Sequence, residues 1–456
     1  MDMSIFREYD IRGIYNQNLV QSSVFKIGFL LGKKIKANKQ DSVAIGYDAR
    51  VHSPVLFEWL KNGFLHSGCE VHFIGMIPTP VAYFATFQED IKNSVMITGS
   101  HNPPEYNGFK ITLNQEPFYG EMIRQLGKEL AGLDIEYVCS DKKAHTLNAL
   151  GLYQDYFVSH FKHLKNFPYE VVFDYGNGVG AIALEEILDR LNIKHISLFE
   201  DPDGTFPNHH PDPSEEKNLK DLKDSLTSHK LQIGIAFDGD ADRIALVTPN
   251  HSYKGDELAI LFARNIAKTI AKPIIIGEVK CSQAMYDEID KIGQSVMYKT
   301  GHSNLKVKLK ELHAHLAAEM SGHLFFNDRY FGYDDALYAA LRVLELFLDS
   351  TPQELEQQIR VLPHYFSTPE EKIHTTEDKK FTQIENLKQK LNNPPKDFPP
   401  IKKLIDIDGI RIVFEDGWGL VRASNTTPVL VTRFEATTEE KLNLYKTKIL
   451  QILQDS

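Results

Sequence analysis

The sequence predicts an α/β protein made of several similar-sized units, followed by a smaller last domain that mixes strands and helix. Three observations predict it. First, apolar runs rich in Val, Ile and Ala end abruptly in small and polar residues at three places. These are Ser94-Val95-Met96-Ile97 into Thr98-Gly99-Ser100, Ile233-Gly234-Ile235-Ala236-Phe237 into Asp238-Gly239-Asp240, and His315-Leu316-Ala317-Ala318 into Glu319-Met320-Ser321-Gly322. Buried strands of an α/β sheet read this way, and ligands gather at the loops beyond their carboxyl ends. Second, Ala181 to Leu191 and Glu257 to Ile270 repeat apolar residues at helical spacing, so strand and helix alternate. Third, the composition turns polar and proline-rich after about residue 365, through Ser367-Thr368-Pro369-Glu370-Glu371-Lys372 and Asn392-Asn393-Pro394-Pro395-Lys396-Asp397-Phe398-Pro399-Pro400. The units are placed at 1–147, 148–249, 250–365 and 366–456; no internal repeat fixes a period.

Within the last unit, Leu404 to Phe414 alternates around Asp408-Gly409, the signal of a β-hairpin. Thr437 to Glu440 spells a capping box, with Thr437 as the cap, before an amphipathic helix carrying Leu442, Tyr445, Ile449 and Ile452.

The length of 456 residues suits about three domains at roughly 150 residues each, and 42% hydrophobic with 25% charged residues is ordinary for a globular protein. A net charge of -11 argues against coating nucleic acid, because phosphate-backbone binding needs a broad positive field. An anionic substrate must then be held by local cations. Cys69, Cys139 and Cys281 lie far apart, so a disulfide framework is not expected; all three read as buried thiols in a reducing compartment. The start, Met1-Asp2-Met3-Ser4-Ile5-Phe6-Arg7-Glu8, lacks the apolar core of a secretory signal. Val71 to Gln88 is nearly uncharged, but Gly75, Pro78 and Pro80 interrupt it, so it makes a poor membrane helix. The expectation is a cytoplasmic protein without nucleic-acid or membrane partners.

Four loops carry chemistry. Asp238-Gly239-Asp240-Ala241-Asp242-Arg243 places three carboxylates at alternate positions after an apolar strand. So many like charges repel, and a bound hard cation such as Mg²⁺ removes the conflict through all-oxygen ligation. An EF-hand would need Gly at the sixth position and Glu at the twelfth, where Arg243 and Pro249 stand. In Thr98-Gly99-Ser100-His101-Asn102-Pro103-Pro104, Gly permits close backbone approach and the prolines stiffen the end of the loop. A hydrolase elbow would need glycines where Thr98 and Asn102 stand, so acyl chemistry is disfavoured. Arg422-Ala423-Ser424-Asn425-Thr426-Thr427-Pro428 crowds one guanidinium and four hydrogen-bonding side chains into a loop, as a phosphate site requires, although a polar hairpin connection reads the same way. Glu319-Met320-Ser321-Gly322-His323 offers an acceptor for sugar hydroxyls and an imidazole able to exchange a proton near neutral pH.

In this order, and with Phe6-Arg7-Glu8-Tyr9-Asp10-Ile11-Arg12-Gly13 at the start, these segments resemble the α-D-phosphohexomutase family over nearly the whole chain. The serine loop Thr98-Gly99-Ser100-His101-Asn102-Pro103, the sugar loop Glu319-Met320-Ser321-Gly322-His323 and Phe206 to Pro213 resemble its bacterial phosphomannomutase/phosphoglucomutase branch. The resemblance implies three similar α/β domains with mixed sheets plus a smaller C-terminal α+β domain around a central cleft. It implies reversible interconversion of hexose 6-phosphate and hexose 1-phosphate, of mannose or glucose, through a phosphoserine and a hexose 1,6-bisphosphate intermediate. It makes Ser100 the phosphoserine, with Asp238, Asp240 and Asp242 holding Mg²⁺ beside it. Glu319 and Ser321 then read sugar hydroxyls, and Arg422, Ser424, Asn425 and Thr426 hold the phosphate that is not reacting. Tyr9, Arg12, His101, Lys110, Arg243, Lys280, His302 and His323 line the cleft, with His323 or Lys110 as general base and Arg12 as a positioning cation.

Two departures from the family pattern are Ala318 and Ala241, each often Gly; neither removes a ligand. The phosphoglucosamine mutase branch, which more often has Gln at the position of Met320 and Ser-Ala-Ser in place of Thr98-Gly99-Ser100, is the alternative. A sugar-phosphate phosphatase and a non-catalytic sugar-phosphate sensor are the remaining rivals.

Overall fold

The computed structural model describes residues 2–88, 91–425 and 427–454. The chain forms two compact units, one of residues 1–258 and 321–353 and the other of residues 259–320 and 354–456.

The first unit contains two mixed sheets. In the seven-stranded one, Ser42–Tyr47 lies between Glu70–Met76 and Ser94–Ile97, parallel to both, while Tyr106–Leu113 runs antiparallel to Ser94–Ile97 and to Ile11–Ile14. In the five-stranded one, Val171–Asp174, His195–Leu198 and Ile233–Phe237 are parallel, and Ile244–Thr248 and His251–Tyr253 complete it antiparallel. Every residue of Ser94–Ile97 and of Ile233–Phe237 is buried, which is why both read as continuous apolar runs rather than alternating ones.

Helices cover these sheets with apolar faces. Gln21–Ala37 and Ser53–Ser67 pack backbone to backbone through glycine: a Cβ on Gly28 would lie 2.3 Å from the Leu60 carbonyl oxygen. Ser53–Ser67 stops at Gly68, whose φ of +89° lets its N–H turn back to the last carbonyls, a conformation that L side chains rarely adopt. Val24, Ile27, Leu31, Leu56, Leu60 and Phe64 from these two helices join Val43, Ile45 and Val95 of the sheet in one core.

In the second unit, Ile274–Glu278 lies between Gln294–Tyr298 and Leu316–Ala318, all parallel. An antiparallel sheet follows, running Phe366–Ser367, Val429–Ala436, Gly417–Ala423, Ile410–Val413, Lys403–Ile405, with Glu371–His374 also paired to Val429–Ala436. The hairpin expected around Asp408-Gly409 is present, with Ile405 opposite Arg411 and Gly409 at φ +74°. Lys380–Leu391 and Glu439–Gln454 close the core over that sheet through Ile384, Leu387, Tyr445 and Ile449.

Two expectations need correction. The cap of Glu439–Gln454 is Thr438, whose Oγ1 accepts from the Lys441 N–H at 3.2 Å. Thr437 stands one residue too early for a helix that begins at Glu439, and its N–H still pairs with the Asp416 carbonyl at 2.8 Å where the preceding strand pair ends. Cys69 and Cys281 are buried thiols, but Cys139 is exposed, because it lies in a stretch without helix or strand. No helix among the described residues is long and apolar enough to cross a membrane.

Candidate active site

The carboxyl ends of the buried strands Ser94–Ile97 and Ile233–Phe237 meet in the first unit. Ser100 Oγ donates to Asp238 Oδ2 at 2.9 Å and lies 3.1 Å from His101 Nδ1. The serine is 3% exposed and sits at φ +49°, a left-handed conformation that costs a residue with a Cβ about 1–3 kcal/mol. Its N–H is held by Thr98 Oγ1 at 2.8 Å, and the Gly99 N–H by Asp48 Oδ2 at 3.1 Å.

The three aspartates of the acidic loop are fully buried. Each turns one oxygen into the protein. Asp238 Oδ1 accepts from the backbone of Asp242 (3.0 Å) and Arg243 (3.1 Å). Asp240 Oδ2 accepts from Thr79 Oγ1 (2.5 Å) and Lys110 Nζ (2.6 Å), and Lys110 also bonds Asp242 Oδ2. The other oxygens of Asp240 and Asp242 are buried and accept no hydrogen bond, while that of Asp238 faces Ser100. The three carboxylates lie within 4.8 Å of one another. An all-oxygen set with orphaned buried acceptors fits a hard divalent cation such as Mg²⁺. Ala241, at φ +58°, shapes the turn at a position where glycine would relieve strain.

Charge placement follows from burial. Desolvation, with repulsion from Asp242 and Asp240, holds the Asp238 carboxyl well above the usual range. Burial opposes charge at Asp240 too, but the bound Lys110 ammonium outweighs it and keeps that carboxyl below its usual range. Burial likewise works against Lys110, yet Asp240 and Asp242 more than offset it and hold its ammonium above the ordinary lysine range.

Arg12 Nη1 donates to the Gly99 carbonyl and to Asn102 Oδ1, both at 2.6 Å, and its other nitrogen pairs with Asp10. Burial and the nearby Arg243 cation push His101 well below its ordinary pKa, so its ring is neutral. His323 Nε2 accepts from Arg243 Nε at 2.9 Å, which places the ring proton on Nδ1, 3.3 Å from Asp334 Oδ2 and 3.6 Å from Asp242 Oδ1. Ser321 begins the segment that carries His323.

The second unit gathers another group of the expected residues. Lys280 Nζ pairs with Glu370 at 2.7 Å and lies 3.4 Å from Glu278. Glu278 accepts from Thr300 Oγ1 at 2.6 Å and from the Met320 N–H at 3.0 Å; the Thr300 N–H in turn donates to Asp408, which binds Arg422 Nε at 3.0 Å. One chain of ion pairs and hydrogen bonds thus runs from Lys280 through Glu278, Thr300 and Asp408 to Arg422. Glu319 accepts from the Gly301 N–H at 2.6 Å, immediately before His302 at the start of His302–Glu311. Ser424 Oγ bonds Thr427 Oγ1 at 2.9 Å, and the Lys380 ammonium fastens the Ser424 carbonyl at 2.7 Å. Asn425 comes next on this loop, and Thr426 lies outside the described residues. Tyr9, half-buried, sits in the bend before Ile11–Ile14.

Sequence reasoning missed Asp48, Arg50, Thr79, Glu278, Asp334 and Asp408. A signal existed for the first two: Val43-Ala44-Ile45-Gly46-Tyr47 into Asp48-Ala49-Arg50 is a fourth apolar run ending in polar residues. Glu278 ends a similar run, Ile274-Ile275-Ile276-Gly277, whereas Thr79 carries no local mark, because its partner Asp240 lies 161 residues away along the chain.

Comparison with known proteins bears on this geometry. Family models described as phosphoglucomutase/phosphomannomutase α/β/α domains I, II and III and C-terminal domain match residues 3–131, 152–252, 254–365 and 370–452. The chain is 40% identical to the phosphomannomutase/phosphoglucomutase of Pseudomonas aeruginosa over 97% of its length and 94% of that protein. It is 40% identical to a phosphoglucomutase of Neisseria meningitidis, covering 99% of this chain and 97% of the relative. The crystal structure of a phosphoglucomutase/phosphomannomutase family protein from Burkholderia thailandensis superposes with a TM-score of 0.90 at 35% identity, covering 100% of this chain and 98% of that one. With four successive domain matches in chain order and two-fifths identity along essentially the whole length, the chain belongs to the phosphoglucomutase/phosphomannomutase family.

Proposed function

We propose that this chain reversibly interconverts hexose 6-phosphate and hexose 1-phosphate, with mannose and glucose as the sugars and Ser100 as the phosphate carrier. The observation that carries the reading is Ser100 Oγ, hydrogen-bonded at 2.9 Å to one of three buried aspartates, two of which keep an oxygen without a hydrogen bond for an ion. The names of the full-length relatives from Pseudomonas and Neisseria support the sugar class.

In this reading phosphate on Ser100 passes to the free hydroxyl of the bound sugar phosphate. The P–O bond to Ser100 breaks as a P–O bond to the sugar forms, and the hydroxyl proton goes to a base. The product is a hexose 1,6-bisphosphate, which turns end for end and returns its other phosphate to Ser100. Asp238, Asp240, Asp242 and Ser100 would hold Mg²⁺, which would supply charge neutralisation at the transferring group. Arg12 fixes the loop carbonyl next to the nucleophile. Lys110 acts as a fixed positive charge, since two carboxylates hold its proton. That leaves His323 Nε2, whose lone pair can take a proton once Arg243 turns to phosphate. Arg422, Ser424, Asn425 and Thr426 hold the phosphate that is not reacting, Glu319 and Ser321 read hydroxyls, and Tyr9, His101, Lys280 and His302 contribute contacts. A cytoplasmic location goes with these substrates.

Phosphorus NMR of the pure protein with Mg²⁺ and a trace of hexose 1,6-bisphosphate tests this. Conversion of mannose and glucose 1-phosphates to 6-phosphates is expected, together with its loss in Ser100→Ala. Conversion of glucosamine 1-phosphate alone would move the specificity to the other branch, and release of inorganic phosphate would indicate a phosphatase.

A further inference from the structure

Beneath the serine loop lies a guanidinium that contacts the loop only through its backbone carbonyls. The Arg50 side chain is fully buried. All five of its N–H donors are used: Nε to Asp48 Oδ2 at 3.2 Å, Nη1 to the carbonyls of Pro103 (2.6 Å) and Tyr106 (2.9 Å), and Nη2 to those of Ser100 (2.8 Å) and Asn102 (2.6 Å). The Phe206 ring covers it, 5.2 Å from the guanidinium carbon. Asp48 completes the clamp. Its Oδ2 also accepts from the Gly99 N–H, and its Oδ1 accepts from the Arg50 N–H (3.1 Å) and Ser53 Oγ (2.8 Å).

Four carbonyl dipoles pointing at one spot repel one another unless a cation sits there, and the planar fork of arginine is the side chain that can satisfy all four at once. Lysine offers one point charge with three donors. Gly99 belongs to the same device, since a Cβ there would lie 2.3 Å from the guanidinium carbon. Ser100 is therefore gripped at its carbonyl by Arg50 while its Oγ is turned to Asp238, and the grip maintains a left-handed φ that serine does not choose by itself.

We propose that Arg50, anchored by Asp48, is a positioning residue for phosphoryl transfer: it holds the loop in the one conformation that aims Ser100 Oγ at the acidic loop. This rests on the reading of Ser100 as phosphate carrier. With no donor left over, Arg50 binds neither substrate nor ion, so its loss acts on the chemical step. A misplacement of about 1 Å at a reacting group costs about a hundredfold in rate.

The test uses the full chain as wild type, Arg50→Lys, Arg50→Met and Asp48→Asn. Each is assayed at least 15 °C below its own melting temperature for kcat and KM, and by intact mass for the rate at which hexose 1,6-bisphosphate loads Ser100. The expected result is a kcat reduced about a hundredfold in Arg50→Met, a KM within about threefold of wild type, slowed Ser100 loading, and partial recovery in Arg50→Lys. A folded Arg50→Met with kcat and loading rate within threefold of wild type overturns the proposal, whatever its melting temperature. If Arg50→Met does not fold, Asp48→Asn decides: normal kcat there overturns the proposal equally. Failure of the underlying reading looks different, because wild type itself would then gain no phosphoryl mass that Ser100→Ala lacks.

Discussion

Lys110→Met removes the ammonium wedged between Asp240 and Asp242 while keeping most of the side-chain volume. The contact to Asp240 is 2.6 Å, the lysine side chain is 4% exposed and both carboxylates are fully buried. At that distance Coulomb attraction is about 6 kcal/mol per pair at an effective dielectric of about 20. Desolvation of the three groups consumes much of it, and deleting one partner of such a cluster costs about 3–5 kcal/mol because the remaining charge is stranded. For a domain of this size that is a fall in melting temperature of roughly 6–20 °C. A divalent ion at the acidic loop neutralises the same carboxylates, so the gap between wild type and variant should narrow when Mg²⁺ replaces EDTA. Melting curves of both proteins by circular dichroism in EDTA and in millimolar Mg²⁺ give the four numbers needed. A variant that melts within 2 °C of wild type in EDTA, or a gap that Mg²⁺ widens, would refute the assignment of Lys110 as the fixed counter-charge of the acidic loop.

Other groups in the structure give outcomes of their own. Burial, with repulsion from Glu319 and Glu370, outweighs Lys280 and pushes the Glu278 carboxyl up to about 7 from 4.5. The folded protein then keeps a proton there that the unfolded chain releases. Stability from this group is present below about pH 4.5 and lost as pH rises to about 7, by about 3 kcal/mol. Glu278→Gln should flatten that part of the stability profile measured by urea unfolding; an unchanged slope would contradict it. Gly178→Ala puts a Cβ 2.7 Å from the Gly239 carbonyl oxygen and 2.9 Å from its Cα. The acidic loop must shift, so calorimetry should show Mg²⁺ affinity reduced about tenfold and stability lower by about 1–3 kcal/mol. Asp408→Asn removes the carboxylate that Arg422 and the Thr300 N–H share, so KM should rise several-fold with a smaller change in kcat, measured by steady-state kinetics.

Much of the fold and the chemistry was legible because it is carried by contiguous residues. A strand buried on both faces must be an unbroken apolar run, and ligands gather at the loops beyond such strands, so the segments ending at Ile97, Phe237 and Ala318 marked the loops of the candidate site. Three acids at alternate positions state a need for a cation whatever the surrounding fold, and Asp408-Gly409 makes a hairpin by local turn chemistry alone. Local reading failed where two local solutions compete, as at Thr437 and Thr438, adjacent threonines of which the second caps a helix that begins at Glu439.

Tertiary structure alone decided which groups are paired and in what state. Lys110 reads as one lysine on a strand, and only the approach of Asp240, 130 residues on, makes it part of a buried ion pair. The proton on His323 Nδ1 depends on Arg243, 80 residues earlier, and the aim of Ser100 depends on Arg50, 50 residues earlier. Sequence patterns report periodicity and turn chemistry over a few residues. Desolvation, ion pairing and the convergence of carbonyls on one guanidinium exist only once folding has excluded water from between distant segments.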